Sequence, residues 1–299
     1  MSLIVSSIGQ GLLWALLGIG LFLTFRILNL ADMTVEGTFP LGAAVAVAAI
    51  SRGMAPWLAT LLAVGAGMLA GLVTGLLYTK GKIPFLLAGI LTMTAVYSVN
   101  LRILGKSNVS LLGKQTVFNS HFLTSLPQYF DSVVLGVIVV IVITLLTIFF
   151  LNTDYGQAFI ATGDNPVMAK SLGIHTDQMV NAGLMISNGL VGLCGALIAQ
   201  NNGYADINMG IGTVVIALAS IIIGEVAFGE LSLNQRLVAI TLGSIIYRLI
   251  LLVVLRLGFS ANDLNLISSI VLAICMILPQ LEYHLHLRRS FKKGLTQHD

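Results

Sequence analysis

The stretch Thr153–Ile174, TDYGQAFIATGDNPVMAKSLGI, is a long run that a bilayer would reject, and it lies between long apolar segments. Within it the chain writes a very short helix with clear punctuation. Asn165 suits the N-cap, Pro166 the first helical position, and Gly173 the position just past the end. The seven residues Pro166–Leu172 are too few to hold a helix in water without a surface to pack against. A short helix in a polar loop between membrane segments is what a membrane protein driven by a separate soluble subunit would carry.

Composition sets the class around that loop. The chain has 299 residues, of which 57% are hydrophobic and only 9% charged; a soluble domain carries roughly 25% charged residues. The apolar residues fall into segments near the length of about 20 that crosses a hydrocarbon core. About nine crossings are expected, some incomplete, near 3–26, 38–51, 56–78, 83–104, 132–151, 178–199, 212–224, 236–255 and 265–283. The fold expected is an all-α polytopic membrane protein with broken helices, forming a single transmembrane domain over 1–299. The net charge of +3 is small and the basic residues are scattered, so no nucleic-acid partner is expected; the surroundings are membrane lipids. Met1-Ser2-Leu3 has no basic n-region, and a cleaved signal peptide is not expected. Cys194 and Cys275 sit in apolar segments and read as small core residues.

Basic residues orient the chain. With the N-terminus outside, nine basic residues fall inside (Arg26, Lys80, Lys82, Lys170, Arg236, Arg288, Arg289, Lys292 and Lys293) and five outside (Arg52, Arg102, Lys106, Lys114 and Arg256). Arg248 falls within a span. The loop 152–177 and the basic tail 284–299 are then cytoplasmic. The outer loops are Gly105–Asp131, with Asn108, Ser110, Gln115 and Asn119, and Gly258–Asn265, with Asn262 and Asp263.

The chain also resembles itself. Asn29-Leu30-Ala31-Asp32-Met33 and Gly203-Tyr204-Ala205-Asp206-Ile207 each stand between a long apolar segment and a short one entered through glycine. On the topology above they lie on opposite sides, which is expected of inverted halves, about 3–131 and 178–283, joined by the loop. Asp32 and Glu36, four apart, would share a helical face. With Thr34, Asp206 and Asn208 they are candidates for a translocation path; the alternative is that they cap broken helices, with Arg26 a partner for Asp32. Thr38-Phe39-Pro40 and Gly212-Thr213 read as helix starts, whose free N–H groups would suit carboxylates or serve ordinary capping. Gly67, Gly71 and Gly75, like Gly189, Gly192 and Gly195, give small faces for close helix packing.

Enzyme signatures are absent. His284 and His286 are too close for a zinc pair, and His121 and His175 are isolated. Gly105-Lys106-Ser107 has Asn100 where a P-loop needs its first glycine. The chain is therefore read as a non-enzymatic transport subunit that binds no cofactor; ATP and its magnesium, if used, belong to another subunit.

The residues Thr153, Gly156, Ala158, Ala161, Gly163, Asn165, Ala169, Gly173 and Ile174, and the run Asn29–Gly42 (NLADMTVEGTFPLG), resemble the branched-chain amino acid and ribose-type ABC importer permeases. The likeness covers about Leu12–Pro279. One departure is Ile160, where many members carry an arginine. The resemblance implies a vitamin-B12-importer-like core with inverted repeats, two permease copies, cytoplasmic ATPase subunits and an extracytoplasmic substrate-binding protein. It places the chain in a bacterial inner membrane and points to a small solute, with amino acids, aromatic or branched, as the best match. On that reading Pro166–Leu172 is the coupling helix: Met168, Ala169 and Leu172 seat in the ATPase, and Asp164, Asn165 and Lys170 make rim contacts, with Gly156, Gly163, Pro166 and Gly173 shaping the loop. The alternatives are an ion-coupled secondary transporter using Asp32, Glu36 or Asp206, and an ABC permease for a sugar or nucleoside.

Overall fold

Two long helices form the centre, and the rest is arranged around their crossing. The computed structural model describes residues 2–119, 130–229, 231–259, 263–264 and 266–277. Helix α1, Ser2–Phe22, continues as one π-helical turn over Leu23–Ile27; α8 runs Thr176–Asn202. The two are antiparallel: the Ser187 hydroxyl donates to the Gly20 carbonyl at 2.7 Å, and the Cys194 thiol to the Leu13 carbonyl at 3.2 Å. Both helices are mostly buried. That explains why so many of their small and polar residues fall inside spans that a lipid-facing helix would fill with leucine.

The remaining elements are α2 (Val35–Ser51), α3 (Pro56–Thr79), α4 (Phe85–Leu104), β1 (Asn108–Ser110), α5 (Phe130–Leu151), α6 (Asp154–Asp164), α7 (Pro166–Ser171), β2 (Tyr204–Asp206), a 3-10 turn at Ile207–Gly210, α9 (Thr213–Phe228), α10 (Leu233–Arg256) and an apolar helix α11 (Leu266–Ile277). Seven helices among the described residues are long and apolar enough to cross a membrane, and α2 and α11 are shorter. The tail 284–299, the end of the ninth expected segment, His121 and Asn262 lie outside the described residues.

Sequence order and packing are matched in two parts of the chain. α1 lies against α8, α9 and α10, and α8 lies against α1, α2 and α3. The short helices α2 and α9 have 17 and 16 residues, and each precedes a helix of 24, α3 or α10. Each short helix is entered from a residue in the left-handed region, Asn29 (φ 55°) or Gly203 (φ 77°), followed three residues later by Asp32 or Asp206. The strands β1 and β2 pair antiparallel, Asn108 opposite Asp206, at the end of the bundle away from α7.

α3 and α8 meet backbone to backbone. A Cβ at Gly67 or Gly71 would collide with the main chain of Asn188 or Leu184. The small faces read from the sequence are therefore packing surfaces. The outward faces of α3, α4 and α5 carry Leu61, Leu69, Leu87, Leu91, Ile138, Ile141, Leu145 and Phe149, all exposed. Water would penalise that area heavily, whereas hydrocarbon does not.

Candidate coupling loop and translocation path

The loop between α5 and α8 folds into two consecutive capped helices. Thr153 caps α6, its hydroxyl oxygen accepting from the Gly156 N–H at 3.1 Å. Asn165 is extended (φ −152°) and caps α7, its Oδ1 accepting from the Met168 N–H at 3.0 Å, with Pro166 at the first position. At the far end the Gly173 N–H donates to the Lys170 carbonyl and the Ile174 N–H to the Ala169 carbonyl, both at 3.1 Å. Those two bonds are a Schellman cap, and Gly173, at φ 86°, takes its left-handed position. The helix expected over Pro166–Leu172 ends one residue earlier, with Leu172 as its C-cap.

Which side chains face out differs from the expectation at one position. Ala169 is only 2% exposed and turns into the protein, whereas Val167 (80%), Met168 (59%) and Leu172 (69%) stand free. Ala169 is thus a small anchor that lets α7 lie close to the chain, and Val167 takes the outward place that helical periodicity denies it. Asp164, Asn165, Pro166 and Lys170 are exposed around them. Beside α7 an open cleft of about 480 Å³ is lined by Lys170, Gly173, Ile174, His175, Thr176, Asp177 and Gln178.

The loop is seated on the end of α1. A Cβ at Gly163 would strike the Ile27 carbonyl and the Leu28 Cα, and the Asn29 amide donates to the Gly163 carbonyl at 3.1 Å. Gly156 packs as closely on the end of α5, at Phe150 and Leu151. Ile160, in place of the arginine common among the permeases resembled, packs against the apolar core.

From Asn29 the chain turns back into the bundle. Asp32, 1% exposed, accepts from the Thr34 N–H at 2.9 Å and from the Asn188 amide at 2.8 Å. Asn188 is near the middle of α8, so the link between α1 and α2 penetrates that far. The Thr34 hydroxyl in turn meets that of Thr74 on α3 at 2.8 Å.

Asp32 and Glu36 do not share a helical face, because α2 begins only at Val35 and Asp32 precedes it in an Asx turn. Glu36, half-buried, instead accepts from the Gly212 N–H at 3.1 Å, just before α9. The free N–H expected there for a ligand is therefore held by the protein's own carboxylate. Pro40 sits inside α2 rather than near its start. It cannot donate to the Glu36 carbonyl, which lies against Gly210.

Arg26 is not the partner of Asp32. The π turn carries it toward α9, where Nε and Nη2 donate to the two Glu225 oxygens at 2.9 and 2.6 Å. Asp206 repeats the Asx turn of Asp32, accepting from the Asn208 N–H at 2.7 Å and from the Asn108 amide at 3.2 Å. Asp206 and Asn208 line an open bowl of about 660 Å³ with Asn108, Ser110, Tyr204 and Met209. The five path candidates thus divide between a buried cluster around Asn188 (Asp32, Thr34), the start of α9 (Glu36), and a bowl at the strand end. Asn188 and Thr74 escaped sequence reading. A polar side chain inside a long apolar helix was the available signal.

Comparison with known proteins agrees with this architecture. The chain is 41% identical over 272 residues (91% of this chain, 90% of the relative) to a tyrosine transport system permease protein of Clostridioides difficile. It is 34% identical over 280 residues, covering 92% and 97%, to an uncharacterized protein of Rickettsia prowazekii. An autoinducer 2 import system permease protein of Yersinia enterocolitica is 27% identical over 212 residues, 71% of this chain and 57% of that relative. No solved structure matches. The family model described as branched-chain amino acid transport system / permease component matches residues 3–279, and the chain, a multi-pass transport subunit rather than a catalytic one, belongs to that family.

Proposed function

We propose that this chain is the permease of an ATP-binding-cassette importer in a bacterial inner membrane, moving an amino acid inward by alternating access, with tyrosine the first candidate. The observation that carries the reading is α7: a six-residue helix capped at both ends and presenting Val167, Met168 and Leu172 to solvent. A helix that short has no reason to be built so firmly unless something docks on it. The docked partner is a cytoplasmic ATPase, which holds ATP and magnesium; Asp164, Asn165 and Lys170 rim the contact. The tyrosine assignment rests on the relative in Clostridioides difficile, similar over nine-tenths of both chains.

Two permease copies would form the path, with an extracytoplasmic binding protein delivering substrate near the bowl around Asp206. The matched order of α1–α3 and α8–α10, with its paired Asx turns, supports inverted halves of the vitamin-B12-importer type. In this arrangement α7 is on the cytoplasmic side and so is the C-terminus. Asp32 and Thr34 brace the broken helix, and Asp206 and Asn208 face arriving solute.

Labelled tyrosine uptake in cells, with the proton gradient collapsed and ATP maintained, tests the energy source. Persisting uptake is the expected result; its loss would mean an ion-coupled carrier. Replacing Val167 and Leu172 together by Asp should release the ATPase from the purified complex while membrane insertion is unchanged. A complex that still assembles and pumps would remove α7 from the coupling role.

A further inference from the structure

Arg248 lies well inside α10, between Ile245, Ile246, Leu249 and Ile250, and the reading above gives it no task. Its guanidinium carbon is 4.4 Å from the centre of the Trp14 ring, and Trp14 stacks on Phe39 at 5.1 Å and 26°. Its Nε is buried without a hydrogen-bond partner, and the ion pairs described, Arg26–Glu225 and Arg236–Glu225, do not involve it. Close by, the Tyr247 hydroxyl donates to Ser268 at 2.6 Å and the Cys194 thiol to the Leu13 carbonyl at 3.2 Å.

A charge is costly at membrane depth, and where it persists it normally has a partner or a cavity. One face of the guanidinium is covered by Trp14, and the unpartnered Nε lies on its edge, where an anionic oxygen acceptor would fit. A carboxylate matches that edge in charge and geometry, while the aromatic pair offers an apolar floor beside it.

We propose that Arg248 is an intramembrane carboxylate-binding residue, taking the α-carboxylate of the transported amino acid. The proposal rests on the amino-acid reading of the substrate. Zwitterions would be held there by the group common to all of them, which leaves selection among side chains to other positions.

The chain has two tryptophans. In a Trp57→Phe background, Trp14 emission reports directly on the guanidinium above it. Full-length protein in phosphatidylcholine nanodiscs is titrated with L-tyrosine, L-tyrosine amide and acetate. Tyrosine should shift the emission with an affinity about tenfold or more above that of the amide, and Arg248→Met should abolish the shift. In proteoliposomes carrying the whole complex, Arg248→Met should cut tyrosine uptake at least about tenfold, with thermal stability unchanged or raised. Wild-type uptake by Arg248→Met, or uptake lost only in proportion to unfolded protein, would overturn the proposal. So would a shift produced by added phosphatidylglycerol and not by any carboxylate. A response to acetate that Arg248→Met removes, in a protein that does not move tyrosine, would retain the site and reject the tyrosine assignment instead.

Discussion

Replacing Asn165 by Ala removes one hydrogen bond from α7, that from the Met168 N–H to Oδ1 at 3.0 Å, and touches nothing that a partner would bury deeply. Loss of such an N-cap costs about 0.5–2 kcal/mol. In a long helix that cost only frays one end. Here the helix has six residues and no second turn to absorb the loss, so the whole element is exposed to it. If the ATPase binds only helical α7, apparent affinity falls with the folded fraction, by up to about two- to thirtyfold for that range of energies. Asn165→Asp keeps the acceptor and adds charge favourable to a helix N-terminus, so it should bind as wild type. Amide exchange at Met168 would report the local opening, and ATPase retained on immobilised permease would report its consequence. Equal association of the Ala and Asp variants, with faster exchange in the Ala variant alone, would show that a formed α7 is not what the ATPase recognises.

Asp32→Ala deletes two hydrogen bonds to a buried carboxylate and leaves the Asn188 amide with only its bond to the Leu184 carbonyl, its Oδ1 already lacking a partner. A loss of about 2–5 kcal/mol is expected, read as a lowered melting temperature in detergent. Glu225→Gln should cost less than about 1 kcal/mol by the same measurement, because the Arg26 side chain is 46% exposed and water screens the pair. Two glycines of α3 should part company. Gly71→Leu meets the α8 backbone and should prevent folded protein from accumulating, whereas Gly65→Ala enters open space and should stabilise by about 0.5–1 kcal/mol. Yields after size-exclusion chromatography and thermal midpoints distinguish the outcomes.

What could be read directly from the chain was whatever is local. Segment length and apolarity announce the long helices, and Asn165-Pro166 with Gly173 announces α7 almost to the residue. The start of α2 was misplaced because Pro40 is a familiar opening residue, while the real opening is the Asx turn at Asp32, written in residues equally at home in any loop. The side of α7 that turns inward was not readable either, since six residues give too little periodicity to tell Ala169 from Val167. Contacts between distant positions were invisible for a different reason. Arg26 and Glu225 are 199 residues apart, and Asp32 and Asn188 are 156. Nothing in either neighbourhood marks its partner, and the nearest acid to Arg26 in the sequence proved a poor guide. The pairing of β1 with β2, three residues each, falls below any strand signal.

The seat of the loop on α1 has a consequence for how such a subunit can diversify. Apart from the Asn29 amide, the groups that meet there are main chain: the Ile27 carbonyl, the Leu28 Cα and the Gly163 carbonyl. A mount defined by the course of the backbone, with Ala169 as the one buried side chain of α7, does not depend on which side chains α7 turns outward. Val167, Met168 and Leu172 can therefore be exchanged without disturbing the mount. If α7 docks a motor, its exposed tip and the machinery behind it can be altered separately, by changing those three positions while Ala169 and both caps are kept.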